Sequence, residues 1–131
     1  MASFKTTPFI FVSGGVRDQK SPMDKVERYD SSKDEWKMCA RMQEKRHSHC
    51  SIGFRDLYLY VLCGVGMKGL LDGVERYCMP CNRWEHMNLR YRDKYWKPRK
   101  WIAGCEVARD HMLIYGVNND NRLTFLLKFE Q

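Results

Sequence analysis

Long hydrophobic runs are missing from this chain of 131 residues, and no stretch approaches the ~18 apolar residues of a membrane-spanning helix. Helical periodicity is almost absent too. The opening stretch M-A-S-F-K-T-T-P-F-I-F-V-S-G-G carries one Lys and an apolar run soon broken by glycines. That run is too short for a secretory h-region, so no signal peptide is expected. The 6 cysteines then read as reduced thiols in a cytoplasmic setting rather than as a disulfide framework. Catalytic signatures are lacking as well: there is no G-x-S-x-G, phosphate loop, H-E-x-x-H or pair of catalytic carboxylates. Asp18, Asp56, Asp72 and Asp110 fall at loops and turns. Nothing nominates a nucleophile, a base or a bound cofactor, and a non-enzyme is expected. Low-complexity tracts, linkers and a second domain are also missing, so residues 1–131 read as one region.

What is present is a globular composition, 44% hydrophobic and 30% charged, with a formal net charge of +7 that favours acidic partners. It also holds one phrase stated twice. V-E-R-Y-D-S-S-K-D-E-W (Val26 to Trp36) returns as V-E-R-Y-C-M-P-C-N-R-W (Val74 to Trp84), at an offset of 48. Each copy follows a short apolar run that ends in glycine, P-F-I-F-V-S-G-G (Pro8 to Gly15) and L-Y-L-Y-V-L-C-G (Leu57 to Gly64). Such runs suit strands buried on both faces. Gly15 to Tyr29 is 14 residues and Gly64 to Tyr77 is 13. A weaker third copy runs through H-M-L-I-Y-G (His111 to Gly116), with Phe129 in the place of the tyrosine. H-S-H-C-S-I-G-F after Arg46 and K-W-I-A-G-C-E-V-A after Arg99 are further candidate strands. Four short strands in each ~48 residues is the mark of a propeller blade.

Gly14, Gly15, Tyr29, Trp36, Met42 and Arg46 together resemble a kelch repeat, and the V-E-R-Y-D wording is similar to the repeats of Kelch-like adaptor proteins. The second repeat departs from the pattern by Gly64-Val65 in place of two glycines and by Cys78 in place of Asp30; the third has Gly116-Val117. The expected fold is all-β: kelch-type propeller blades of four antiparallel strands, partial, about three blades with only the middle one complete. Repeat 1 covers about 8–45, repeat 2 about 46–98 and a truncated repeat 3 about 99–131. Gly14, Gly15, Gly64, Tyr29, Tyr77, Trp36 and Trp84 are read as blade architecture, with both tryptophans buried.

Cys78-x-x-Cys81, with His47, His49 and Cys50, invites a metal or redox reading. Only two ligands have the expected local spacing. Tyr77 to Trp84 matches Tyr29 to Trp36 in length, so a plain strand-to-strand turn is expected, without zinc or a redox dithiol. His47 and His49 alternate and would share one strand face.

The resemblance implies a protein-interaction module, in a substrate-recognition role for ubiquitin ligases or as a scaffold. An enzyme fragment of oxidase or sugar epimerase type is one alternative, and a basic nucleic-acid-binding surface is the weaker other. Strand direction gathers the loops Val16 to Lys25, Val65 to Gly73 and Val117 to Arg122 on one face, together with the connections after Trp36 and Trp84. From Trp36 to Arg46 is ten residues, but from Trp84 to Arg99 is fifteen. The longer connection mixes Arg90, Arg92, Lys94 and Lys97 with Tyr91, Tyr95 and Trp96. Arg, Tyr and Trp are enriched at binding hot spots. The expected partner-binding set is therefore Arg17, Lys68, Arg90, Tyr91, Arg92, Tyr95 and Trp96, facing an acidic segment of a partner protein. An incomplete ring also leaves strand edges to be closed by self-association or by a companion chain.

Overall fold

The computed structural model describes residues 8–87, 100–108, 111–117 and 123–128, and the side chains of 8–87. Blade 1 holds β1 (Phe9–Ser13), β4 (Val26–Asp30) and β5 (Glu35–Met38) as one antiparallel sheet in the order β1-β4-β5. Blade 2 holds β6 (Cys50–Phe54), β7 (Tyr58–Leu62), β10 (Val74–Cys78) and β11 (Arg83–Met87), in the order β11-β10-β7-β6. Blade 3 holds β12 (Lys100–Ala108), β13 (His111–Val117) and β14 (Leu123–Lys128). β12 lies beside β6, so blades 2 and 3 approach each other through their first strands. These ten strands are the ones expected from the repeats. Two small ladders are additional: β2 (Val16–Arg17) with β3 (Ser21–Pro22), and β8 (Val65–Gly66) with β9 (Gly69–Leu70). The described residues form no helix, and hence none long and apolar enough to cross a membrane.

Alternation divides the core in two. In β7, Tyr58, Tyr60 and Leu62 pack with Ile52, Phe54 and Val74 on one face of blade 2. Leu59 and Val61 point the other way and join Tyr77, Trp84 and Met42 against Val26 and Phe11 of blade 1. Phe11 meets Tyr77 edge to face at 6.0 Å. A strand clad on both faces needs a continuous apolar run, which explains Y-L-Y-V-L. Among the described residues blade 1 is clad on one face only: Ile10 and Val12 stand exposed where Leu59 and Val61 are buried.

The register corrects two expectations. Ile10 pairs with Tyr29, and Leu59 pairs with Tyr77. Counting along both strands, Gly14-Gly15 therefore corresponds to Cys63-Gly64, not to Gly64-Val65. Cys63 takes a left-handed φ of 57°, close to the 63° of Gly14. The one-residue difference in loop length sits in the small ladders. The β2–β3 turn spans Asp18 to Lys20, whereas β8 and β9 are joined by Met67 and Lys68 alone. The glycines are required by close approach. A Cβ on Gly14 would strike the Arg46 carbonyl, and one on Gly64 would strike the His47 carbonyl.

Trp36 is the second correction. It is 58% exposed, against 5% for Trp84. Both stack on their tyrosines at 5.1 Å. Trp84 is buried because the segment leaving blade 1 covers it, and among the described residues nothing stands in that relation to Trp36.

Candidate protein-binding face

The connection from β5 to β6 builds the face. It leaves blade 1 at Cys39, whose N–H donates to the Val26 carbonyl. It then runs over the tops of both blades. Met23 pairs with Arg46 and His47 pairs with Val65, which ties the connection to the β2–β3 hairpin on one side and to β8 on the other. The Gly15 N–H donates to the Arg46 carbonyl at 3.0 Å. The loops expected on one face are thus brought together for blades 1 and 2.

What anchors the connection is an ion pair with no exposed side-chain surface. Arg46 Nη2 donates to Glu75 Oε2 at 2.7 Å, and Arg46 Nη1 donates to the carbonyls of Cys63 at 2.9 Å and Gly73 at 3.2 Å. Glu75 also accepts the backbone N–H groups of Gln43 at 2.6 Å and Glu44 at 3.2 Å. The two charges answer each other, as burial demands, while the buried Arg46 Nε has no partner among the described residues. The Trp84 indole N–H donates to the Ala40 carbonyl at 2.8 Å, and the Ala40 N–H donates to Asn82 Oδ1 at 2.9 Å.

Over this anchor lies a cleft of about 250 Å³ lined by Arg17, Met23, Asp24, Lys25, Arg41 and Lys45, with Ser21 and Pro22. Arg41 pairs with Asp24 and Lys25 with Glu27, each at 2.8 Å. Arg17 and Lys45 are exposed and have no ion pair among the described residues. The cleft is therefore net positive, lined by four cations and one carboxylate. Of the expected binding residues, Arg17 lies in β2 at its rim. Lys68 is exposed at the tip of the β8–β9 hairpin, beside the exposed Met67 and Leu70. Arg90, Tyr91, Arg92, Tyr95 and Trp96 lie outside the described residues. Arg41 and Lys45 were not anticipated. The dense charge of R-M-Q-E-K-R (Arg41 to Arg46) is the signal that could have found them.

His47 and His49 do not share a strand face. β6 begins only at Cys50, and Ser48 takes a left-handed φ of 55° that breaks the alternation. His47 Nδ1 meets the Ser48 hydroxyl, whereas His49 Nε2 lies 2.9 Å from Ser13 Oγ of blade 1. A serine beside a histidine suggests a nucleophile and its base. His49 Nδ1, however, is buried with no partner to orient the ring. Burial, with Arg46 and His47 nearby, lowers the His49 pKa to about 4. The pair is a strut between blades.

A pH dependence follows. The unfolded chain takes up a proton on His49 below about pH 6.5, and the folded chain does so only near 4. The stability contributed by neutral His49 is full above about 6.5 and falls as the pH drops towards 4. The expected loss is roughly 2 kcal/mol, the full shift being discounted for partial solvation. Urea midpoints at pH 7 and pH 4.5 should differ by less in His49→Gln than in the parent chain; equal differences would remove His49 from this role.

Cys78 closes β10 and Cys81 sits exposed in the turn that follows, which matches the turn after Asp30 in length and in its left-handed last residue (Asp34, φ 51°; Asn82, φ 49°). Asp30 accepts hydrogen bonds from the Ser32 N–H and hydroxyl, which Cys78 and Pro80 do not reproduce. Among the described residues no three His, Cys, Asp or Glu side chains converge as metal ligands.

Set against known protein families, residues 10–43 match the Kelch motif, from β1 through the double glycine and the Tyr29–Trp36 hairpin to the start of the anchoring segment. The second repeat rebuilds those elements one blade further on. Residues 10–43 thus carry a kelch motif, and the described strands fold as partial propeller blades.

Proposed function

We infer that the chain is a protein-interaction module that captures an acidic segment of a partner protein on the face built by the two small hairpins and the β5–β6 connection. Kelch repeats are in general binding modules and not enzymes. The observation that carries the reading is the cleft lined by Arg17 and Lys45, net positive and next to the segment that Arg46 anchors to Glu75. A carboxylate-bearing segment entering it gains two cations at no cost in existing ion pairs. Lys68 extends the same charge over blade 2. The longer connection with Arg90, Tyr91, Arg92, Tyr95 and Trp96 would add aromatic anchors to it. The likeness to adaptor repeats supports a substrate-recognition or scaffold role, in the cytoplasm.

Binding of a fluorescent peptide rich in Asp and Glu tests this. Arg17→Glu with Lys45→Glu should weaken binding about tenfold, since two partly solvated charge pairs contribute about 1.4 kcal/mol between them. Thermal stability should be unchanged. Replacing Arg90, Arg92 and Trp96 with Ala should likewise weaken capture in a folded protein. An oligonucleotide of equal charge that bound more tightly than the peptide would transfer the face to nucleic acids. Undiminished peptide binding by both variants would remove it from consideration.

A further inference from the structure

Burial sorts the described cysteines by what they can react with. Cys50 and Cys63 are buried, and burial, with Cys63 beside it, pushes the Cys50 thiol up to about 11. Cys39 is half-buried against the cluster that holds Tyr77. Cys78 is half-buried and Cys81 is exposed. The turn from β10 to β11 sets these last two side by side. Cys78 pairs with Arg83 to close the hairpin. The counterpart in blade 1 is a β-turn in which the Lys33 N–H donates to the Asp30 carbonyl at 3.3 Å. Both turns have the same length and the same left-handed last residue, so Cys78 and Cys81 take the places of Asp30 and Lys33. The first and fourth residues of a β-turn have Cα atoms less than about 7 Å apart. A disulfide asks for about 4.4–6.8 Å. Side-chain direction agrees with this. Asp30 lays its carboxylate over the turn to reach Ser32, and from the matching position Cys78 meets the Cys81 thiol in a hydrogen bond.

We propose that Cys78 and Cys81 are a site of reversible oxidation, forming a disulfide across the turn when the chain meets a small-molecule disulfide such as oxidised glutathione. The plain turn expected from the spacing does form, and it is this turn that brings the two thiols together. The exposed Cys81, as thiolate, attacks one sulfur of the reagent, breaking its S–S bond and releasing one thiolate. Cys78, as thiolate, then attacks the Cys81 sulfur of the mixed disulfide and releases the second. The chain loses two electrons and two protons, and the reagent is reduced to two thiols. An exposed disulfide in so short a loop is of the labile kind, made and broken by exchange. Its effect reaches inward through the next residue, Asn82. The Asn82 Oδ1 accepts from the Tyr77 hydroxyl at 2.7 Å and from the Ala40 N–H at 2.9 Å. The link therefore braces the corner where the β5–β6 connection meets blade 2. No residue lining the basic cleft takes part, so its failure leaves the acidic-segment reading intact.

The test equilibrates the full chain in glutathione buffers of graded ratio, quenches with N-ethylmaleimide in urea so that every remaining thiol is labelled, and digests with trypsin. Cleavage after Arg76 and Arg83 releases both cysteines in one peptide, Tyr77 to Arg83. The expected product is that peptide unlabelled and lighter by two hydrogen atoms, with Cys50 and Cys63 labelled. The equilibrium constant for its formation should exceed that of the urea-unfolded chain by about tenfold, because the folded turn already holds the thiols together. By the same cycle the urea midpoint must rise on oxidation. Cys81→Ser should abolish that rise while leaving the reduced chain as stable as the parent, and Cys39→Ser should change neither readout. Equal equilibrium constants in the folded and unfolded chain would overturn the proposal. So would glutathione retained on Cys81 with Cys78 still labelled, or a link from either thiol to Cys39.

Discussion

Replacing Arg46 with Ala should cost about 3–5 kcal/mol, the loss expected when one member of a buried ion pair is removed and the other stays. Glu75 has no exposed side-chain surface and would keep a charge with only two N–H donors to answer it. The carbonyls of Cys63 and Gly73 would lose their donor, and a cavity would open where a large side chain had been. A domain has only about 5–15 kcal/mol in total, so this one change consumes a large part of it. Arg46→Lys keeps the charge but cannot serve a carboxylate and two carbonyls from one planar fork; an intermediate loss of about 1–3 kcal/mol is expected. Arg46→Met with Glu75→Leu should recover much of the loss, although the N–H groups of Gln43 and Glu44 then lack their acceptor. Denaturant midpoints decide the matter. A shift in Arg46→Ala worth less than about 1 kcal/mol would show that the pair does not hold the two blades together.

Much of this arrangement was legible, for identifiable reasons. The alternation that buries Y-L-Y-V-L on both faces, the V-E-R-Y-x-x-x-x-x-x-W frame and the glycine exits are all local, and they repeat. Local repetition is what a single sequence displays best. The anchor was only half visible. Glu75 stood in the repeated phrase and Arg46 was one of its landmarks. Their meeting joins residues 29 apart, one in the connection that leaves blade 1 and the other within β10 of blade 2, and no local spacing announces it. The one-residue shift that places Cys63 opposite Gly14 was hidden by the shorter β8–β9 turn. A residue count from Tyr77 backwards cannot reveal where a loop has lost a residue. His47 and His49 were misjudged because the left-handed Ser48 breaks the alternation before β6 begins at Cys50.

The cleft shows the same division. Lys68 is at a hairpin tip and Arg17 is the last strand residue before one, where exposure follows from local turn chemistry. Arg41 and Lys45 reach the same face because each stands beside a buried anchor, Met42 and Arg46. A charged residue next to one that is drawn inward, as Arg41 is beside Met42 and Lys45 beside Arg46, is turned outward, and that step needs the tertiary anchor to be known first.

Trp36 and Trp84 give the sharpest comparison, since one chain holds the same side chain in the same hairpin with and without a neighbour. Trp84→Ala should cost about 3–5 kcal/mol, as large-to-small changes in a packed core do. It removes the stack on Tyr77, the apolar contact with Met42 and Ala40, and the donor to the Ala40 carbonyl. Trp36→Ala removes the stack on Tyr29 and little else, and about 1 kcal/mol or less is expected from an exposed aromatic pair. Trp84→Phe separates the contributions. It keeps most of the apolar area but strands the Ala40 carbonyl, for a loss of about 1–3 kcal/mol. Urea unfolding of the three variants beside the parent chain provides the check. Equal costs for Trp36→Ala and Trp84→Ala would mean that Trp36 is covered in solution, and the blade 1 face would then already be occupied.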